Sequence, residues 1–96
     1  MTSSRPPEFH WDEANTRHLA RHKVTEAEFE QAMRNDPIVI DSLNVEGEDR
    51  WSVLGATDSL RVLVLCYTLQ DEKIRPVTAW AANKRLRELY FRHKEL

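Results

Sequence analysis

The sequence predicts an α+β fold: an antiparallel sheet of about four to five strands, with two N-terminal helices and one C-terminal helix. Two helical segments with capping signals come first, and four strand-like segments with short connections follow them. A run of strong helix formers closes the chain. Because short connections join antiparallel neighbours, we expect a meander, with the helices packed on one face of the sheet.

The N-terminal segment begins with an alternating stretch, Glu8–Trp11, which predicts a short edge strand. Asp12 then stands where a helix N-cap is expected, since its carboxylate can accept hydrogen bonds from the amides of the first turn. We therefore predict a first helix over residues 13–22.

The second helix has a stronger start signal. Thr25 and Glu28 form the T-x-x-E pattern of a capping box, in which each side chain bonds the backbone of the other residue. Pro37 disfavours the helical conformation at the residue before it, so this helix is expected over residues 26–34.

Four segments rich in strand-forming residues follow the helices. They comprise residues 38–40, 50–56, 61–69 and 74–80. The third is the most apolar and is expected near the centre of the sheet. Its most buried side chains are one of two alternating sets, Val62, Val64 and Cys66 or Leu63 and Leu65. Pro76 has no amide to donate, so the fourth strand must lie at an edge or carry a bulge.

The composition sets the class of protein. A chain of 96 residues favours one domain, which we place at residues 9–96 after a flexible lead over residues 1–8. Charged residues make up 31% of the chain and hydrophobic residues 41%, which argues against disorder and against a coiled coil. The sequence lacks a signal peptide and a membrane span, and it has one cysteine, Cys66. These features favour a reducing cytoplasm.

Charge is distributed unevenly along the chain. Residues 1–48 carry 5 Lys and Arg against 10 Asp and Glu, whereas residues 49–96 carry 9 against 6. The halves therefore have net charges of −5 and +3. A small basic site beside an acidic surface is compatible with RNA, and the acidic surface could equally meet a basic protein partner.

The basic residues of the second half are the main candidates for chemistry. They begin two strands (Arg50 and Arg61), share one face of the last strand (Lys73 and Arg75), and open the closing helix over residues 82–90 (Lys84 and Arg85). Arginine suits bidentate phosphate contacts, and cations can stabilise a developing phosphate charge. The alternative is that most of these residues are solvated surface charges.

Other kinds of site have weaker support. His18 and His22 have the spacing of two metal ligands on one helix, but no acidic or cysteine pattern completes the set, and a helix C-terminal turn favours histidine anyway. Cys66 lies within an apolar strand, where a thiol stays protonated rather than nucleophilic. With two glycines and no P-loop pattern, the chain offers no nucleotide cradle.

Five ordered pieces of the sequence resemble the BrnT family, the toxin half of a type II toxin–antitoxin pair. They are FHWDEAN (9–15), ARHKV (20–24), FEQAMRNDPIVID (29–41), GEDRWSVLGATDSLRVLVLCYT (47–68) and KIRPVTAWAANKRLRELY (73–90). The resemblance implies a RelE-like fold and a metal-independent ribonuclease that inhibits translation without a cofactor. It also implies a small BrnA-like antitoxin as the partner, so that operator DNA is bound only indirectly, through the antitoxin. The resemblance leaves both a homodimer and a heterotetramer open as assemblies.

Together, the resemblance and the basic pattern give a set of expected site residues. The expected catalytic residues are Arg50, Arg61, Arg85, His22 and Tyr90, with the last two as proton-transfer groups. The expected substrate-binding residues are Trp80, Lys84, Arg75 and Lys73. We expect Trp80 to lie beside Arg50, Arg61 and the start of the closing helix.

The chain departs from the family pattern in three places. Arg21-His22-Lys23 lacks the glycine that usually ends the first helix, Pro76 interrupts the last strand, and Trp80 falls where the family has an arginine. An indole can stack on bases but cannot neutralise a phosphate. Two functions therefore remain open: an endoribonuclease toxin, and a non-catalytic toxin-like module that binds an antitoxin-like protein and tunes its repression of DNA.

Overall fold

In the computed structural model, which describes residues 7–95, two helices precede a four-stranded sheet and a third helix closes the chain. The elements are α1 (Glu13–Arg21), α2 (Glu26–Arg34), β1 (Ile38–Val45), β2 (Glu48–Ala56), β3 (Val62–Gln70), β4 (Lys73–Ala81) and α3 (Lys84–Lys94). The strands are antiparallel and follow one another across the sheet in chain order. This confirms the predicted α+β class and meander. None of these helices is long and apolar enough to cross a membrane.

Both N-terminal helices begin as their capping signals predict. The Asp12 carboxylate accepts the amide of Asn15 at 2.8 Å, and the Asn15 side chain accepts the amide of Asp12 at 2.9 Å. Thr25 and Glu28 form the equivalent reciprocal pair, with both bonds at 3.1 Å. Each box satisfies amides that a helix start leaves without partners, which fixes where α1 and α2 begin.

At the end of α1, Lys23 occupies the backbone position where a glycine is usual. Lys23 adopts a left-handed conformation, with φ of 59°. Its amide bonds the carbonyl of Ala20, and the amide of Val24 bonds the carbonyl of Leu19, both at 3.0 Å. These two bonds form a Schellman motif, in which the left-handed position normally favours glycine. Lys23 therefore holds a backbone conformation that is unfavourable for a residue with a side chain.

The first hairpin makes β1 longer than predicted. The sequence indicates a strand over residues 38–40, but β1 continues to Val45. Glu46 and Gly47, with φ of 53° and 84°, form the two-residue turn to β2, a geometry that matches the natural twist of paired strands. The polar second half of β1 is a strand because it pairs with β2 across this turn. Its side chains lack the alternating apolar pattern that predicts a strand.

The opposite edge of the sheet accommodates both the N-terminal segment and Pro76. The amide of His10 donates to Ile74, and the amide of Ile74 donates to Glu8, both at 2.8 Å. The predicted edge strand is thus reduced to a single parallel bridge at Phe9. Pro76 lies in β4, where the register with β3 shifts, as its missing amide requires. Most of the predicted flexible lead, residues 1–6, lies outside the described residues.

The expectation that all helices share one face of the sheet is wrong. α1 and α2 cover one face, with Leu19 and Phe29 in a core that includes Val53, Leu63 and Leu65. α3 covers part of the other face, where Tyr90 joins a second cluster. Helical periodicity shows which side of a helix is apolar, but it does not specify the face of the sheet that this side covers.

Coverage on both faces decides which residues of β3 are buried. Residues 62–65 are all buried, so both alternating sets contribute to the core. Cys66 is half-buried at the margin of the core cluster under α3, and its sulfur is 3.4 Å from the Ser52 hydroxyl. Gly55 lets α2 approach the sheet closely, since a Cβ there would lie 2.6 Å from the carbonyl oxygen of Ala32.

Candidate nucleic-acid interface

Arg61 ties the turn between α1 and α2 to the start of β3. Its guanidinium donates to both carboxylate oxygens of Glu28, at 2.9 and 3.0 Å, and to the carbonyl of Lys23 at 2.9 Å. Burial raises the pKa of Glu28, but the Thr25 amide and Arg61 outweigh it and leave that pKa below its ordinary value. The charge of Arg61 is therefore largely matched by a carboxylate.

His22 and Trp80 meet at the same turn. His22 caps the C-terminal end of α1, and Trp80 is the penultimate residue of β4. Their ring centroids are 6.3 Å apart and the rings are tilted by 55°. His22 is exposed and Trp80 is 40% exposed, so both rings are accessible to a ligand. The fold thus pairs an imidazole, which can transfer a proton, with a flat surface on which a base can stack.

The start of α3 lies close to this pair along the chain. Three residues follow Trp80 before α3 begins at Lys84, and the amide of Ala82 bonds the carbonyl of Val62 in β3. Asn83 caps the helix by accepting the amide of Leu86 at 2.9 Å. Lys84 and Arg85 are exposed, and neither forms an ion pair within residues 7–95. The positive end of the helix dipole adds to their charge.

We call the set of His22, Arg61, Trp80, Lys84 and Arg85 the turn cluster. Its members come from α1, the β2–β3 connection, β4 and α3, and they gather at the end of the sheet where β3 begins and β4 ends. Five of the nine residues expected at the site therefore lie at one end of the molecule.

Three other expected residues lie at the opposite end of the sheet. Arg50 and Arg75 both pair with Thr68 of β3, whereas Trp80 pairs with Val64. Four residues along a strand span about 13 Å, so the expectation that Trp80 lies beside Arg50 is wrong. Arg75 lies 3.9 Å from the Asp12 carboxylate, whose pKa the Asn15 amide and Arg75 lower.

The remaining basic residues at that end also have acidic neighbours. Lys73 lies 4.0 Å from Glu8, and Arg50 donates to Glu48 at 3.2 Å. Arg50 borders a cleft of about 240 Å³ on the part of the sheet beyond α3. Ser52 and Cys66 lie in the same cleft, which is open and lined by both polar and apolar groups.

Tyr90 is the one expected site residue whose side chain is buried in the core. Its side chain is 6% exposed within the cluster beneath α3, and the Lys94 ammonium lies 5.7 Å from the centre of its ring. Lys84 and Arg85 of the turn cluster are exposed in the first turn of the same helix, whereas Tyr90 is buried further along it. Tyr90 therefore stabilises the packing of α3 on the sheet.

Sequence reasoning missed two residues of this region because their partners are distant along the chain. Glu28 was identified only as a helix cap, yet it also binds Arg61, 33 residues away. Lys23 supplies the backbone carbonyl that accepts a hydrogen bond from the Arg61 guanidinium. The unusual Lys23 at a helix end was the available signal. Within residues 7–95, no group of three His, Cys, Asp or Glu side chains lies together as metal ligands would.

Comparison with known proteins identifies one family. Residues 11–85 match the family model described as "Ribonuclease toxin, BrnT, of type II toxin-antitoxin system". The matched range contains every member of the turn cluster. No curated protein matches the chain.

Proposed function

Since the chain belongs to the BrnT family of ribonuclease toxins from type II toxin–antitoxin systems, we propose that it is a metal-independent endoribonuclease that inhibits translation by cleaving RNA in the cytoplasm. An antitoxin protein is the partner that such a system implies. We propose that operator DNA is bound through that partner rather than by this chain. The observation that carries the proposal is the pair of rings formed by His22 and Trp80, with two exposed cations, Lys84 and Arg85, four and five residues after Trp80 in the chain.

The turn cluster has the groups that RNA cleavage without a metal requires. The 2′-hydroxyl oxygen attacks the adjacent phosphorus and loses its proton to His22, and the bond to the 5′-oxygen breaks as that oxygen takes a proton from water. Lys84 and Arg85 neutralise charge on the non-bridging oxygens as it develops. Trp80 stacks on a neighbouring base and so holds the RNA in place. The product on the 5′ side then carries a cyclic phosphate.

Arg61 has a positioning role in this proposal. Its guanidinium donates one hydrogen bond to the carbonyl of Lys23, the residue directly after His22, and another to the Glu28 carboxylate. Holding this turn fixes the position of the imidazole relative to Trp80. Because the Arg61 guanidinium already forms an ion pair with the Glu28 carboxylate, Arg61 is a poorer phosphate ligand than Lys84 or Arg85.

Arg50, Arg75 and Lys73 contact the RNA backbone away from the cleaved bond. The strand register places Arg50 and Arg75 more than about 13 Å from Trp80, too far to act on the same phosphate. Contacts of this kind add affinity that depends on salt, without adding specificity for a base.

The experiment measures cleavage of one defined RNA by purified protein with a chelator present throughout. His22→Ala should reduce the rate by about 10²–10⁴-fold, the usual contribution of a positioned proton-transfer group. His18→Ala is the matched control, because His18 is exposed one turn earlier on the same helix. Equal activity of the two variants would refute the role of His22, and activity that requires added metal would refute metal independence.

The cations are tested in the same assay. Replacement of both Lys84 and Arg85 by alanine should reduce cleavage by about 10²-fold or more, since electrostatic donors contribute on this scale. Arg92→Ala is the matched control, because it removes an exposed arginine from the far end of the same helix. If Arg92→Ala causes the same loss, the effect comes from overall charge and the assignment fails.

A second function is favoured by two specific observations. The resemblance to the family pattern puts Trp80 at a position where an arginine is expected, and the guanidinium of Arg61 donates to Glu28. Both reduce the positive charge available at a phosphate. These observations fit a non-catalytic module that binds an antitoxin-like protein and adjusts its repression of DNA. Expression of this chain alone distinguishes the two functions: an active toxin slows growth and fragments RNA, whereas a binding module leaves both unchanged.

A further inference from the structure

The outer edge of β1 is the open edge of the sheet. β4, at the other side, is partly covered by the segment that contains Phe9. Within residues 7–95, no backbone group pairs with the outer side of β1. An edge of this kind presents a row of unpaired amides and carbonyls, which can accept a strand from another chain.

The turn geometry shows which groups face outward. Val45 and Glu48 flank the two-residue turn and form a hydrogen-bonded pair, and such pairs alternate with non-bonded pairs along an antiparallel ladder. The peptide groups of Asn44 and Ser42 therefore point away from β2. The Asp41 carboxylate accepts a hydrogen bond from the Ser42 amide at 2.9 Å. A partner strand therefore has to replace this bond before it can accept from the Ser42 amide.

The edge also exposes apolar side chains. Val39 is 60% exposed and Leu43 is 49% exposed, and Ile40 and Val45 are exposed as well. Natural edge strands are commonly protected by lysine, proline or a bulge. β1 contains no lysine or proline, and its one register shift lies between Val39 and Asp41, so the pairing from Asp41 to Val45 is regular. The strand is eight residues long, enough for a partner to form several backbone bonds and to cover these side chains.

Charge selects the kind of partner. Residues 35–49, which contain all of β1 and its turn, include five acidic residues and no lysine or arginine. Pairing of two copies through this edge would bring two such acidic segments together and place two Asp41 carboxylates close to each other. A partner strand with basic side chains would instead complement the charge.

We propose that the outer edge of β1 binds an extended segment of a partner protein that alternates apolar and basic residues, and adds it to the sheet as a fifth strand. Where that partner is the antitoxin, the inference rests on the proposed function. Leu43 and Asp41 also border the 240 Å³ cleft beside Arg50, so an added strand lies at the rim of that cleft.

The experiment uses the full chain and an eight-residue peptide that alternates lysine and valine. Backbone amide NMR should show shifts concentrated in residues 38–45. The dissociation constant should rise at least threefold between 50 and 300 mM salt, because exposed charges are screened over this range. A peptide with glutamate in place of lysine should bind at least tenfold more weakly. A version N-methylated at alternate residues cannot donate to the edge and should also bind at least tenfold more weakly.

Leu43→Ser and Leu89→Ser form a matched pair, since each removes one exposed leucine, from β1 and from α3 respectively. Only Leu43→Ser should weaken binding. The proposal is overturned if the peptide fails to bind, if N-methylation has no effect, if the shifts map elsewhere, or if the chain dimerises through β1. The assay contains no RNA, so its result is independent of whether the chain is a ribonuclease.

Discussion

Replacing Arg61 with alanine separates a positioning role from direct phosphate binding. The change removes two bonds to the Glu28 carboxylate and one to the Lys23 carbonyl, all between 2.9 and 3.0 Å. The two side chains are 33% and 26% exposed, between a surface pair and a buried one. Hydrogen bonds to charged groups contribute about 1.5–3 kcal/mol and exposed pairs about 0–1 kcal/mol, so we expect a loss of about 1–3 kcal/mol in unfolding free energy.

The pH dependence of this loss has a definite sign. The folded-state pKa of Glu28 lies below its ordinary value of 4.5, so its stabilising effect is complete above that value. The effect disappears as the pH falls through the lowered pKa and the carboxylate becomes protonated. The difference between the parent protein and Arg61→Ala should therefore be largest near pH 7 and should shrink below about pH 4.

Urea unfolding at pH 7 and at pH 3 measures this difference. Arg50→Ala is the matched control, because its ion pair with Glu48 is nearly half exposed on both sides and should contribute less than about 1 kcal/mol. Glu28→Gln, combined with Arg61→Ala in a double-mutant cycle, gives the coupling between the two residues. A loss below 0.5 kcal/mol at pH 7, on the order of a surface pair, or a loss that persists unchanged at pH 3, would refute the reasoning.

RNA cleavage by Arg61→Ala gives the functional side of the same test. If Arg61 acts through the turn that carries His22, Arg61→Lys should restore part of both stability and activity. A fall of about 10²–10³-fold in rate with no loss of stability would instead show that Arg61 contacts the phosphate directly.

Three further predictions follow from the packing and backbone. Leu63→Ala, at a fully buried position between β3 and the N-terminal helices, should cost about 2–5 kcal/mol by urea unfolding, whereas an unchanged midpoint would contradict the core assignment. Lys23→Gly should raise stability by about 0.5–1 kcal/mol, because the left-handed conformation suits glycine, and a loss would mean that the lysine side chain makes a compensating contact. Trp80→Arg should reduce cleavage of a defined RNA, because it removes the base-stacking surface; an increase in cleavage would show instead that the indole has replaced a phosphate ligand.

Local signals in the sequence predicted most element boundaries to within one residue, although the closing helix, expected over residues 82–90, spans Lys84–Lys94. Asp12 and the Thr25–Glu28 pair start their helices as expected, because a cap acts within one helical turn. Pro76 correctly indicated an edge strand or a bulge, because a missing amide restricts pairing wherever it occurs. The end of β1 was missed, because its polar half is a strand through pairing across the turn rather than through its own pattern.

The chain's basic residues, its order of elements and its family resemblance could be read from the sequence alone. The tertiary structure decided that α3 covers the face of the sheet opposite to α1 and α2, and that Glu28 binds Arg61. It also places His22 next to Trp80, although the two residues are 58 positions apart in the sequence. It also divided the expected site residues between two ends of the sheet. Residue types and short-range spacing determine helices, strands and caps, whereas the neighbours of a charged side chain depend on strand register and on how helices pack, which only the complete fold specifies.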